Sequence, residues 1–324
     1  MYTAPQLLEQ LNTYISEFSF IREPGTLYEP IKYVLSNGGK RMRPVLMLMA
    51  YNLYKENMAE AYAPAAAIEI YHNCTLLHDD LMDKADMRRG KKTVHKAWND
   101  NIAILSGDAM LVLAYRYMEK CPPEYLHEIL GLFNETVLGI CEGQQYDMDF
   151  EQRNNVAATE YLEMIRLKTA ILFAASLKIG GILGGASRED TDNLYNFGIH
   201  LGIAFQLKDD YLDVYGDSLI FGKNLGGDIL SNKKTYLFIK ALECANEFQT
   251  GEFKKWLKAS DYDPQEKITA VVDIYNQLEI KEKCETKIQE YYTRALGDLE
   301  AVTVDSTKKI ELKSLVQYLM RREL

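Results

Sequence analysis

Two runs of aspartate share one spacing, Asp79-Asp80-Leu81-Met82-Asp83 and Asp209-Asp210-Tyr211-Leu212-Asp213. In a helix, residues i and i+4 share a face, so Asp79 with Asp83, and Asp209 with Asp213, each point two carboxylates the same way. Asp217 extends the second row by another turn. With 20 aspartates in 324 residues, two chance matches have a probability of about 0.005. A solvated acidic face would cost only ~0.2–0.5 kcal/mol per like-charge pair. The setting argues against it, because Leu76-Leu77 precede the first run and Phe205-Gln206-Leu207 the second, placing both at the ends of apolar helices. Buried carboxylates ~4 Å apart repel by about 4 kcal/mol at an effective dielectric near 20, and divalent cations relieve that repulsion. Oxygen-only ligands suit Mg²⁺, which keeps waters and takes its remaining ligands from substrate phosphates.

The cations of the chain complement these carboxylates. Lys40, Arg41 and Arg43 follow a Gly38-Gly39 break, and Arg88-Arg89 with Lys91-Lys92 follow the first aspartate run. Lys168-Thr169 interrupts an apolar stretch, while Lys223 and Lys233-Lys234 flank the glycine-rich stretch after the second run. Each alone reads as a solvated turn. Together, in a chain of net charge −10, they describe a diphosphate pocket in which metal and guanidinium share the negative charge. The acidic balance offers no global field for nucleic acid.

The elements that must position these groups are helical. All eight prolines fall at 5, 24, 30, 44, 64, 122, 123 and 264, so long helices are open to residues 124–263, since proline breaks helix interiors. Apolar residues recur at Ile68, Tyr71, Leu76 and Met82, and again at Ile199, Ile203, Phe205 and Leu212, closer to a helical period than to alternation. Breaks at Asn37 to Gly39, Arg88 to Lys92, Pro122-Pro123, Asn154-Asn155, Gly184-Gly185, Gly216 to Gly227 and Asp261 to Pro264 divide the chain. The expectation is an all-α, single-domain bundle (residues 1–324) of about ten or more helices around a central substrate cavity. Five cysteines without C-x-x-C spacing argue against a disulfide framework and fit a reducing cytoplasm. No secretory leader is evident, and the apolar run Ala170 to Leu177 is far short of the ~20 residues of a membrane span.

Gly38-Gly39-Lys40-Arg41-Met42-Arg43-Pro44, Leu77-His78-Asp79-Asp80-Leu81-Met82-Asp83 with Arg88-Arg89-Gly90, Gly107-Asp108, Gly143-Gln144, Lys168-Thr169, Phe205-Gln206-Leu207-Lys208-Asp209-Asp210-Tyr211-Leu212-Asp213, Phe221-Gly222-Lys223 and Gly227-Asp228-Ile229 occur in this order. Over about residues 35 to 240 this series resembles the trans-isoprenyl diphosphate (polyprenyl) synthases, while residues 241–324 carry little signature. The resemblance implies head-to-tail prenyl transfer with three Mg²⁺ ions, two held by Asp79 and Asp83 and one by Asp209. It implies that Lys40, Arg43, His72 and Arg89 hold isopentenyl diphosphate, and that Arg88, Lys168, Lys223 and Lys233 hold an allylic diphosphate such as dimethylallyl, geranyl or farnesyl diphosphate. Lys168, Thr169 and Gln206 would be the catalytic groups, the last two stabilising a carbocation. His72, two helical turns before Asp79, lies on a similar face, whereas His78, His95, His127 and His200 read as structural.

Product length in the resembling family depends on side chains one and two turns below the first aspartates. Here Thr75 and Cys74 are small and Tyr71 is the first bulky residue, which lowers the floor by one turn, ~5.4 Å, about one isoprene unit. A short-chain product of about fifteen to twenty carbons, leaning to geranylgeranyl diphosphate, is the expectation. The rivals are a longer-chain synthase, a class I terpene cyclase and a non-catalytic partner subunit; two intact aspartate runs disfavour the last two. The resemblance also implies a homodimer, and the terminal Arg321-Arg322 is a weaker candidate to close the site.

Overall fold

The computed structural model describes residues 1–18, 22–153, 155–216, 225–259 and 261–321. Its helices in chain order are α1 (Ala4–Ser16), α2 (Gly25–Ser36), α3 (Met42–Asn52), α4 (Tyr62–Met82), α5 (Val94–Ala97), α6 (Asp100–Met118), α7 (Pro123–Glu151), α8 (Ala158–Ile165), α9 (Ile171–Gly184), α10 (Arg188–Tyr215), α11 (Gly227–Leu230), α12 (Tyr236–Cys244), α13 (Glu247–Lys258), α14 (Pro264–Gln277), α15 (Ile280–Ala301) and α16 (Ile310–Met320). A π-helical turn, Arg166–Ala170, joins α8 to α9. The strands among the described residues are β1 (Met87–Arg88) and β2 (Lys91–Lys92), paired antiparallel. The described residues are all-α apart from this hairpin.

Local sequence sets the helix ends. The Thr3 hydroxyl and Gln6 amide form a reciprocal capping box on α1, and Asn246 with Gln249 does the same on α13. Asp263 caps α14 by accepting from the amides of Gln265 and Glu266, with Pro264 in the first turn where no N–H is missed. Pro30 departs from the rule that proline interrupts helices: it is buried inside α2. The hairpin turns on Arg89 and Gly90, both at positive φ (52° and 74°). That pair matches the twist of antiparallel strands and leaves Arg89 at the tip.

Contacts gather the described residues into two compact units, one of Met1–Phe133, Ser176–Leu194 and Thr303–Leu312, the other of Asn134–Ala175, Tyr195–Val302 and the segment from Lys313. In the first, α3 is buried from Pro44 to Asn52 without a break, and α4 is buried around its circumference from Ala63 to Tyr71. Helix α4 lies along α6, and the Cys74 thiol donates to the Gly107 carbonyl at 3.2 Å. In the second, Phe150, Tyr161, Leu207, Tyr211, Leu237, Phe253 and Tyr275 form the centre of one core.

The helical run Ala158–Gly184 is longer than the Ala170 to Leu177 stretch alone suggests, and by length and composition it could cross a membrane. In the fold 89% of its most apolar window is buried, as in a core helix. All five cysteines are free.

Candidate active site

In the first unit the glycine turn before α3, the middle of α4 and the hairpin tip build one cationic cluster. Gly38 and Gly39 take positive φ (69° and 136°), and Arg41 is left-handed at 43°. A Cβ on Gly39 would lie 2.8 Å from the Arg89 guanidinium, so only glycine lets the turn approach it. Arg89 donates to the Gly38 carbonyl. Arg43 lies 3.0 Å from His72 Nε2, and Arg41 donates to the Leu35 carbonyl at 2.9 Å.

Beneath these cations Glu69 is 1% exposed. It accepts from the Asn73 amide at 2.9 Å and lies 3.6 Å from Arg41 Nε. Burial pushes its carboxyl up, against the pull of Arg41, Asn73, Arg89 and Arg43. His72 moves the other way: enclosure, then the guanidiniums of Arg43, Arg89 and Arg88, hold its imidazole well below the usual histidine range. His72 is therefore neutral at pH 7 and can accept from Arg43. Arg43, His72 and Arg89 are thus brought together, with Lys40 exposed on the same turn.

The first aspartate run ends α4, with Asp79 half-buried and Asp83 exposed. Asp80, 5% exposed, turns inward and accepts from Arg88 Nε at 2.7 Å. Burial raises Asp80 and the Arg88 bond opposes the rise. One and two turns below, the side chains expected to set product length diverge. Thr75 donates to the His72 carbonyl at 2.8 Å and Cys74 faces Gly107. Tyr71 packs edge-on to Phe133, centroids 5.4 Å apart, and Tyr115 also packs edge-on to Phe133 at 5.1 Å.

In the second unit the π-helical turn carries Lys168 and Thr169. The Ile171 amide reaches back to the Arg166 carbonyl, and such a turn inserts one residue and re-aims the side chains it carries. Helix α7 presses against it at Gly143, where a Cβ would lie 2.4 Å from the Lys168 amide nitrogen. One turn on, Asp147 binds Lys168 Nζ at 2.7 Å.

From Thr169 a hydrogen-bond chain runs inward. Its hydroxyl donates to Gln206 Oε1 at 3.0 Å, Gln206 Nε2 donates to Asp210 Oδ1 at 3.0 Å, and Tyr161 donates to Asp210 Oδ2. Burial and then the neighbouring Asp228 push Asp210 up to about 7, while Lys233 pulls it down. Asp209 is half-buried; Asp213 accepts from the Asp228 amide at 2.9 Å. Lys223, Asp217, Phe221-Gly222 and Arg322 lie outside the described residues; Arg321 is exposed.

The two aspartate runs are therefore built alike. The middle carboxylate is buried on protein donors, and its neighbours stay nearer the surface. This all-oxygen donor set fits a hard divalent cation such as Mg²⁺. Among the described residues no three acidic, histidine or cysteine groups converge into a complete cage, so an ion held here must draw further ligands from water or substrate oxygen. Sequence reasoning missed Glu69, Asp147 and Tyr161. Asp147, four residues after Gly143, carried the one signal that helical spacing could have used. Among the histidines read as structural, His200 pairs with Asp298 at 2.6 Å and His78 lies 3.3 Å from the Ile104 carbonyl.

A family model described as polyprenyl synthetase matches residues 24–275. A geranylgeranyl pyrophosphate synthase of Geoglobus acetivorans is 38% identical over 315 residues, 97% of this chain and 96% of that protein. A geranylfarnesyl diphosphate synthase of Aeropyrum pernix is 33% identical over 320 residues, 96% of this chain and 99% of that one. A crystal structure of a geranylgeranyl pyrophosphate synthase superposes with a TM-score of 0.94 at 40% identity, covering 100% of both chains.

The lowered pKa of His72 has a consequence for stability. The unfolded chain protonates this residue first, so stability is lost as pH falls below about 6.5, at up to ~1.4 kcal/mol per pH unit. His72→Gln removes that proton. Its urea midpoint should fall less than the wild type's between about pH 7 and pH 5; equal falls would mean that the ring titrates normally.

Proposed function

The chain belongs to the polyprenyl synthetase family, and on that premise we propose how its residues serve prenyl transfer. It is a short-chain trans-isoprenyl diphosphate synthase, a prenyltransferase leaning to geranylgeranyl diphosphate. The proposed reaction joins isopentenyl diphosphate head-to-tail to dimethylallyl, geranyl or farnesyl diphosphate. The observation that carries it is the repeated aspartate triplet with its middle carboxylate buried, on Arg88 in one unit and on Tyr161 and Gln206 in the other.

Asp79 and Asp83 would hold two Mg²⁺ ions and Asp209 a third; when bound, they would neutralise the allylic diphosphate and ease its departure. Arg88, Lys168 and Lys233, with Lys223, bind that diphosphate. Thr169 has its proton committed to Gln206, which leaves the oxygen lone pairs for the positive charge of the ionised primer. Such a preoriented dipole needs no reorganisation when the charge appears. Lys40, Arg43, His72 and Arg89 hold isopentenyl diphosphate while its double bond attacks. The departed diphosphate takes the proton lost in the last step.

A single domain over residues 1–324, a cytoplasmic setting and a homodimer complete the proposal. Free cysteines suit a reducing compartment. Exposed apolar side chains on α6 (Leu105, 59%, and Val112, 60%) and on α7 (Leu138, 57%) support self-association.

Purified protein given Mg²⁺, isopentenyl diphosphate and each primer should form prenyl diphosphates, with turnover in Asp79→Ala and Asp209→Ala lower by at least about 100-fold. Wild-type turnover in either variant would overturn the metal assignment. Tyr71→Ala should lengthen the product by at least one isoprene unit, about 5.4 Å of channel, as sized by chromatography; an unchanged distribution would put the floor elsewhere. Sedimentation at micromolar concentration should give a dimer, and a monomer would refute self-association.

A further inference from the structure

Helix α14 lies where the sequence alone carries little signature, yet among the described residues it holds the lysine found among the largest fully buried side chains. Lys267 is 1% exposed. Its Nζ donates to Asn232 Oδ1 at 2.7 Å, to the Leu230 carbonyl at 3.3 Å and to the Tyr262 hydroxyl at 3.5 Å, and it lies 4.6 Å from the Tyr262 ring centroid. All three acceptors are neutral. Burying an ammonium costs several kcal/mol, and neutral oxygens repay less of it than a carboxylate would.

What the lysine grips is the turn after the second aspartate run. That turn starts on Asp213, which accepts from the Gly226 amide through its carbonyl (2.7 Å) and from the Asp228 amide through its side chain (2.9 Å). It continues through α11 to Asn232, at φ 56°, and on to Lys233, whose amide donates to the Asp228 carbonyl at 2.9 Å. Asp228 and Lys233 both act electrostatically on Asp210. The next residue of α14 holds the other end, since a Cβ on Gly226 (φ 83°) would lie 2.7 Å from Ile268. Lys234 donates to the Asn232 carbonyl at 3.3 Å.

We propose that Lys267 is a positioning residue for the second aspartate cluster, clamping the 226–233 turn so that Asp228 and Lys233 face Asp210 in the arrangement that receives a magnesium-bound diphosphate. The assignment rests on the chemistry proposed above. Lys267 touches neither substrate nor metal ligand; it acts through Leu230 and Asn232. Supporting partners of this kind are commonly worth 10–100-fold in metal affinity or activity.

The test is Lys267→Met, which keeps the buried stem and removes the ammonium. The Kd of Mg²⁺ with inorganic diphosphate, by calorimetry, and the KM for the allylic primer should each rise about tenfold or more. The KM for isopentenyl diphosphate should stay within about twofold, with a melting temperature near that of the wild type. Unchanged diphosphate affinity, or a fall in kcat alone, would overturn the proposal. If Lys267→Met does not fold, Asn232→Gly decides: it keeps the positive φ and deletes the main acceptor, and must raise the same two constants. A wild type that fails to condense would refute the proposed reaction, and the calorimetric comparison would still judge the clamp.

Discussion

The constraint on which each aspartate cluster depends is the burial of one carboxylate per triplet. An ionised carboxylate out of water must be matched by donors. Asp80 is matched by Arg88, a residue of the two-stranded hairpin, and Asp210 by Tyr161 from α8 and Gln206 one turn earlier on α10. Each match fixes more than a charge. The first anchors the hairpin whose tip presents Arg89. The second aligns the amide of Gln206 and, through it, the hydroxyl of Thr169. Removing the buried member of either triplet would therefore loosen groups that do not themselves bind it.

Backbone conformation does similar work around these pairs. Arg89 and Gly90 turn the hairpin in left-handed conformations, and the left-handed Arg41 opens α3. Non-glycine residues at positive φ are uncommon, and two of them here are arginines of one cluster. In the second unit the π-helical turn takes this role. It interrupts the regular pairing of the α8–α9 run at Lys168 and Thr169, and Gly143 admits α7 close enough for Asp147 to reach the lysine.

Much of this was legible in the sequence, for reasons that are local. The i, i+4 spacing of Asp79 with Asp83 is a property of any helix, and the breaks at Asn37 to Gly39, Pro122-Pro123 and Gly184-Gly185 coincide with observed helix ends. What was not legible depends on tertiary packing. No residue type marks the π-helical turn Arg166–Ala170. Glu69 sits in an apolar run, and its meaning emerges only when Arg41, Arg43 and Arg89 arrive from elsewhere in the chain. Lys267 looks like any helical lysine until Asn232 and Leu230 close over it. Pro30 was misleading in the opposite sense, since a helix interior accommodates it.

The two charge arrangements differ in sign. Around the Gly38 turn the guanidiniums of Arg41, Arg43 and Arg89 face the buried carboxylate of Glu69 and a histidine held neutral, so the cluster stays cationic. Guanidiniums supply the charge and bidentate donors that suit a phosphate group without a metal. The aspartate triplets have the opposite sign and would repel a bare diphosphate. With Arg88 committed to Asp80 and Lys168 to Asp147, the nearby cations are already shared with carboxylates. On the proposed reaction the triplets would need metal charge beside Arg88, Lys168 and Lys233 to hold a diphosphate, whereas the Gly38 cluster would not. On the proposed reaction, the two diphosphate ligands would be separated by electrostatics before their hydrocarbon parts are distinguished.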